Sequence, residues 1–297
     1  MIQRPTVLIL GAGASHPYGY PLGWDLVKMA VGGLSNTGSP LRVELARCEA
    51  REGDVNEFRT RLQGSGLTSL DAFLEGNEDE LVRIGKLIIA AELLSSVDQA
   101  KLTNLDVAGH WYRYLWNHLR QGATRETFTG NRLSVITFNY DVSLERFFTN
   151  AIFHTFGLRW KDAAELFGRT VKVVHVHGDI GGADAYENRP RPQPGVLVRQ
   201  AAERIKVVHD EVGSSAEFDA ARELISTAEI ACFLGFGYHP ANIKRLQINQ
   251  RLRDGAALYG STFKMGAAEV ARAQQHLGRT QFHPYDAEQF LREVAIF

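Results

Sequence analysis

The feature that most constrains this chain is Thr6-Val-Leu-Ile-Leu10, an unbroken apolar and β-branched run that ends at once in Gly11-Ala-Gly-Ala-Ser15. A strand solvated on one side alternates apolar with polar residues, so an unbroken run belongs to a strand buried on both faces. A glycine turn directly after it lets the backbone reverse tightly into a helix. The same grammar recurs at 133–138, at Lys172-Val-Val-His-Val176 before His177-Gly-Asp179, and at Ile230-Ala-Cys-Phe-Leu234 before Gly235-Phe-Gly237.

Helical patterns fall between these strands. Helices are expected over 142–153 and 216–226, from Pro240, over 267–277 and over 287–294, with further strands at 257–264 and 281–283. Strands alternating with helices imply a parallel sheet with right-handed crossovers. The expected class is α/β, a Rossmann-like parallel sheet with helices on both faces, built from 1–40 and 131–297. Residues 41–130 are rich in Glu, Arg, Leu and Ala and carry helical spacing at Leu81, Ile84, Leu87, Ile88 and Ala91, which predicts a helical insertion. The polar stretch 181–194, with Arg189-Pro-Arg-Pro-Gln-Pro194, is expected to be a loop, and its position suggests a lid.

Composition narrows the functional classes. A net charge of −1 gives no electrostatic reason for the chain to bind nucleic acid directly. Two distant cysteines, Cys48 and Cys232, exclude a disulfide framework and a four-cysteine zinc site within one chain. Packing roles in a reducing compartment suit them. The apolar run at the start has strand length, not the form of a signal-peptide core, and no run approaches the roughly 20 apolar residues of a membrane span. The reading is a cytoplasmic protein with no membrane association.

Ligands of open parallel sheets bind beyond the carboxyl ends of the strands, and four chemically suggestive segments stand there. Gly11, Ala12, Gly13 and Ser15 suit close approach to a pyrophosphate, or simply a strand-to-helix turn. This is no standard dinucleotide fingerprint, because His16 stands where its last glycine belongs and no strand with a ribose-binding acid follows. Asn139 offers a donor and an acceptor to a ribose hydroxyl or a water, and Asp141 orients a neighbour or caps the next helix. His177, followed by Gly178 and Asp179, is placed for proton transfer, whereas His175 reads as a hydrogen-bonded core residue. Gly235 and Gly237 form a second close-approach turn, and Asn242 lies within reach of a ribose. His239 stays outside the catalytic set.

In this order, the Gly-Ala-Gly-Ala-Ser, Thr-Phe-Asn-Tyr-Asp, His-Gly-Asp and Gly-Phe-Gly-Tyr-His-Pro-x-Asn segments resemble the sirtuin-like NAD hydrolases of prokaryotic anti-phage defence, of the Thoeris, HerA-associated and Argonaute-associated kinds. The resemblance implies a phosphate loop at Gly11–Ser15, an Asn-x-Asp pair at Asn139 and Asp141, a catalytic His177, and an adenosine-side turn at Gly235 and Gly237. It implies an NAD-depleting hydrolase that releases nicotinamide and ADP-ribose, with NAD as substrate, no other cofactor and no metal. Control through a homo-oligomer or through a HerA-type ATPase or Argonaute-type partner is implied as well. Two features of sirtuin deacylases are missing: the stretch Gly19-Tyr-Pro-Leu-Gly-Trp-Asp25 lacks their arginine, and the zinc module is absent. A non-catalytic NAD or ADP-ribose sensor and a zinc-free deacylase are the alternatives, and preference between NAD and NADP stays open.

Overall fold

A computed structural model describes residues 1–181, 195–207, 215–294 and 297. The expected loop therefore lies outside the described residues from 182 onward. Six strands, β1 (Thr6–Leu10), β2 (Leu133–Thr137), β3 (Val171–His175), β4 (Ile230–Leu234), β5 (Ala257–Ser261) and β6 (Gln281–His283), form one all-parallel sheet in the order β3-β2-β1-β4-β5-β6. This is a Rossmann-like sheet whose strand order reverses between β1 and β4, where such sheets open a crevice.

Register decides what meets at that crevice. Leu10 pairs with Thr137 on one side and with Leu234 on the other, and Thr137 pairs with His175. The four strands thus end level. The segments that follow them, beginning at Gly11, Phe138, Val176 and Gly235, emerge side by side.

Strand alternation divides the core in two. Leu8, Leu10, Val135, Cys232 and Leu234 face one layer of helices, which includes Gly23–Ser35, Glu52–Ser65, Asp79–Ser95, Trp111–Arg120 and Ser143–Phe156. Val7, Ile9, Ile136, Ala231 and Phe233 face the other layer, where Ala216–Thr227, Pro240–Leu246 and Ala267–His276 pack. Helices drawn from 41–120 share the first core with β1.

Two local expectations differ from the structure. The helix Trp160–Thr170 was not anticipated from sequence; it buries only Ala163, Phe167 and Thr170, so its apolar stripe is thin. The strand expected over 257–264 stops at Ser261, because Lys264 takes a left-handed turn with φ of 59°. Both cysteines are buried and free, and burial raises both thiol pKa values. Among the described residues, no helix is long and apolar enough to cross a membrane, and no cluster of three metal-ligating side chains occurs.

Candidate functional site

Two glycine turns build the floor of the crevice. The Gly11 amide donates to the Leu234 carbonyl at 3.1 Å, and the Gly13 amide donates to the Gly235 carbonyl at 3.0 Å. A Cβ on Gly11 would stand 2.6 Å from the Gly235 oxygen, and one on Gly13 would stand 2.9 Å from the Gly235 Cα. These positions must be glycine because two backbones touch there. The donors left for an anion are different ones: the amides of Ala12, Phe236 and Gly237 have no partner among the described residues. A Cβ on Gly237 would meet nothing within 4 Å, so this glycine borders open space.

Asn139 stands over that floor, 9% exposed. Its Nδ2 donates to the Gly11 carbonyl at 3.0 Å and to Ser15 Oγ at 2.9 Å. A carbonyl only accepts, so the amide orientation follows from chemistry. Both N–H bonds are used, and Oδ1 is left without a protein partner among the described residues. Asn139 therefore presents an acceptor.

The bonds run on into a buried chain. Ser15 also bonds to Asp141, and Asp141 Oδ1 accepts from the Ser143 amide at 3.0 Å and from the Ser143 hydroxyl. Tyr112 OH lies 2.7 Å from Ser143 Oγ, and the Trp111 indole donates to the Ala14 carbonyl at 2.8 Å. Burial pushes the Asp141 carboxyl up, partly offset by hydrogen bonds from Ser143 and Ser15. Asp141 thus starts its helix and fixes Ser15 at once. Ser15, expected to lie in a phosphate loop, is 3% exposed, and its hydroxyl accepts from Asn139 within this chain.

His175 anchors Asn139 from below. Nδ1 lies 3.0 Å from the Asn139 carbonyl oxygen, and Nε2 lies 2.6 Å from Glu145 Oε1. An imidazole between two acceptors must carry both protons. Burial pulls its pKa down, but the charge and hydrogen bond of Glu145 outweigh burial and push it up to about 9. The folded pKa thus exceeds the unfolded value of about 6.5. The pair stabilises the fold fully below about pH 6.5, and that contribution is lost as pH rises through about 9. Urea unfolding should show the pair's contribution, on the order of 3 kcal/mol, being lost across this window. Glu145→Gln should flatten the slope, and an equal slope in both chains would refute the ion pair.

His177 sits past the end of β3, in a turn. Its ring is flanked by Phe138 at 5.4 Å, Phe218 at 6.0 Å and Tyr140 at 6.3 Å between centroids. Neither ring nitrogen has a hydrogen-bond partner among the described residues. Burial lowers its pKa, opposed by the Asp71 charge and assisted by Arg245, so the ring is neutral near pH 7. Lys206 pins the turn through its amide to the His177 carbonyl at 2.8 Å. Gly178, with φ of 76°, is required there because a Cβ would strike the Arg204 carbonyl oxygen at 1.9 Å. Asp179 is held by Arg204 Nη2 at 2.7 Å and by the Gly181 amide at 2.8 Å. That carboxylate shapes the turn.

The expected residues therefore separate. Gly11, Gly13, Ser15, Asn139, Asp141 and Gly235 form one bonded unit, and His177 stands on the neighbouring turn. Gly178 and Asp179 shape the His177 turn, and Asn242 lies half-buried on the helix Pro240–Leu246 with no bond to that unit. Trp111, Tyr112, Ser143, Glu145, Asp71 and Arg245 were not singled out from sequence. Ser143, two residues after Asp141, carries the one local signal, a side-chain-to-backbone turn motif. The others arrive from distant chain positions. The chain matches no family model, and no curated protein matches it significantly.

Proposed function

We propose that this protein hydrolyses NAD at the nicotinamide–ribose bond. The observation that carries the reading is that an acceptor, Asn139 Oδ1, and a neutral imidazole, His177, both unpartnered among the described residues, stand beyond the carboxyl ends of the neighbouring strands β2 and β3 of a Rossmann-like sheet. The free amides of Ala12, Phe236 and Gly237 suit a pyrophosphate lying between the two turns.

The reaction asks little of the protein. The bond from C1′ to the cationic pyridinium breaks with its electron pair going to nitrogen, so nicotinamide leaves neutral. Water adds to C1′, and one proton is released. Asn139 Oδ1 accepts a hydrogen bond from a ribose hydroxyl or from the incoming water, which fixes the attack geometry. His177 accepts the proton, directly or through a ribose hydroxyl. ADP-ribose is the second product. The aromatic walls around His177 restrict water there and keep the base neutral.

Incubation of the purified chain with NAD, with nicotinamide and ADP-ribose followed by chromatography, tests the reading. Equal amounts of both products support hydrolysis. Turnover only with an acylated peptide would point to a deacylase, and tight binding without products to a sensor. The resemblance to defence hydrolases further suggests that a homo-oligomer or a HerA-type or Argonaute-type partner controls the activity, so the assay includes concentration series and such partners.

A further inference from the structure

His177 is faced by charges that do not come from its own strand. The short helix Leu70–Leu74 starts at Ser69, whose side chain accepts from the Ala72 amide at 3.4 Å. It is seated where Leu74 fills a notch that Gly85 leaves open; a Cβ on Gly85 would come within 2.4 Å of Leu74 Cδ2. This seating brings Asp71 to the crevice, where it accepts a hydrogen bond from Tyr140 OH. Tyr140 is buried, and its ring lies beside His177. At the end of the same helix, Glu75 pairs with Arg245 Nη1 at 3.6 Å, which ties the helix to Pro240–Leu246 on the other side of the crevice.

Resting on the assignment of His177 as the base, we propose that Asp71, linked to the site through Tyr140, is the positioning residue that favours charge on His177, and that Arg245 opposes it. When His177 takes a proton, an imidazolium forms in a largely apolar pocket. A carboxylate nearby stabilises that charge, and a guanidinium destabilises it. Tyr140 keeps Asp71 from pairing directly with the ring, so the imidazole stays free for substrate. Among the described residues, the other charged groups around the turn are paired: Asp179 with Arg204, Lys206 with Glu217, Arg222 with Asp219, and His175 with Glu145. Among the described residues, Asp71 and the Glu75–Arg245 pair are then left to tune His177. The helical segment between β1 and β2 thus contributes to the chemistry, and activity depends on its seating.

The test is an NMR titration of the His177 ring in the full-length chain, which reads the residue whether or not NAD is turned over. Asp71→Asn keeps an acceptor for Tyr140 but removes the charge, and should move the His177 midpoint to lower pH. Arg245→Gln should move it to higher pH, and Asp71→Glu should restore the wild-type midpoint. A merely loosened site would let water in and raise the midpoint in every variant, so opposite movements separate the charge effect from a structural one. For Asp71→Asn, kcat should fall roughly tenfold with little change in KM. An unmoved midpoint, or one that rises, in Asp71→Asn overturns the proposal. Opposite shifts in a chain that never cleaves NAD would support it while removing the hydrolase reading.

Discussion

His177→Ala is expected to cleave NAD about 10²–10⁴ times more slowly than wild type, the usual effect of losing one general base. The residue is well suited to a clean test. Its ring nitrogens bond to no described residue, so its removal leaves no buried donor or acceptor stranded. What is lost structurally is packing against Phe138, Tyr140 and Phe218, which costs about 1–3 kcal/mol. NAD affinity, measured by calorimetry, should change little, because the amides proposed to hold the phosphates, those of Ala12, Phe236 and Gly237, lie on other turns. The wild-type pH profile carries a second check. Burial holds the base neutral below the ordinary histidine range, so turnover should persist at pH values where a solvated imidazole is already protonated. Turnover within a fewfold of wild type in the variant would remove His177 from the mechanism.

Gly235→Ala should have the largest effect on the fold of the site. Gly235 holds φ of 57°, and a Cβ there would stand 2.1 Å from the Ala14 nitrogen and 2.4 Å from the Gly13 carbonyl carbon. Both obstacles are backbone, so neither can swing aside. Relief requires the two turns to separate, which breaks the bond from the Gly13 amide and withdraws the Gly11 carbonyl from Asn139. The expected loss is about 3–5 kcal/mol in unfolding free energy, together with loss of NAD binding. Gly237→Ala is the matched control, since its Cβ would meet nothing within 4 Å. It should unfold like wild type yet bind NAD less tightly, because the methyl enters the space bordered by the free amides. Equal stability of Gly235→Ala and Gly237→Ala would contradict the crossed-turn geometry.

Much of the site was legible because it is local in the chain. The carboxyl ends of strands could be read from apolar runs that stop at Gly11, Phe138, His177 and Gly235. The structural part of Asn139 and Asp141 is plain in the fold: Asp141 accepts from the Ser143 amide at the start of the helix, and Asn139 braces the glycine turn through Gly11 and Ser15. The reason for Gly11 and Gly13 was not legible. A glycine turn in sequence looks the same whether it approaches a phosphate or another backbone, and here it abuts Gly235. His175 and His177 also look alike in sequence. Glu145, thirty residues earlier, keeps the first protonated up to about pH 9, and burial in an aromatic pocket favours the neutral form of the second.

By itself, the order of apolar runs, glycine turns and helical stretches determined a parallel α/β sheet and which four segments meet at its edge, because strand period, turn chemistry and crossover handedness are local or nearly local rules. Tertiary structure alone decided the pairing of Asp71 with Tyr140, of Arg245 with Glu75, and of Trp111 and Tyr112 with the glycine-loop network. Those contacts join positions far apart in the chain, and their existence depends on how a helical layer settles on the sheet. The charge state of a buried histidine follows from that settling, since burial and neighbouring charges are properties of the packed molecule.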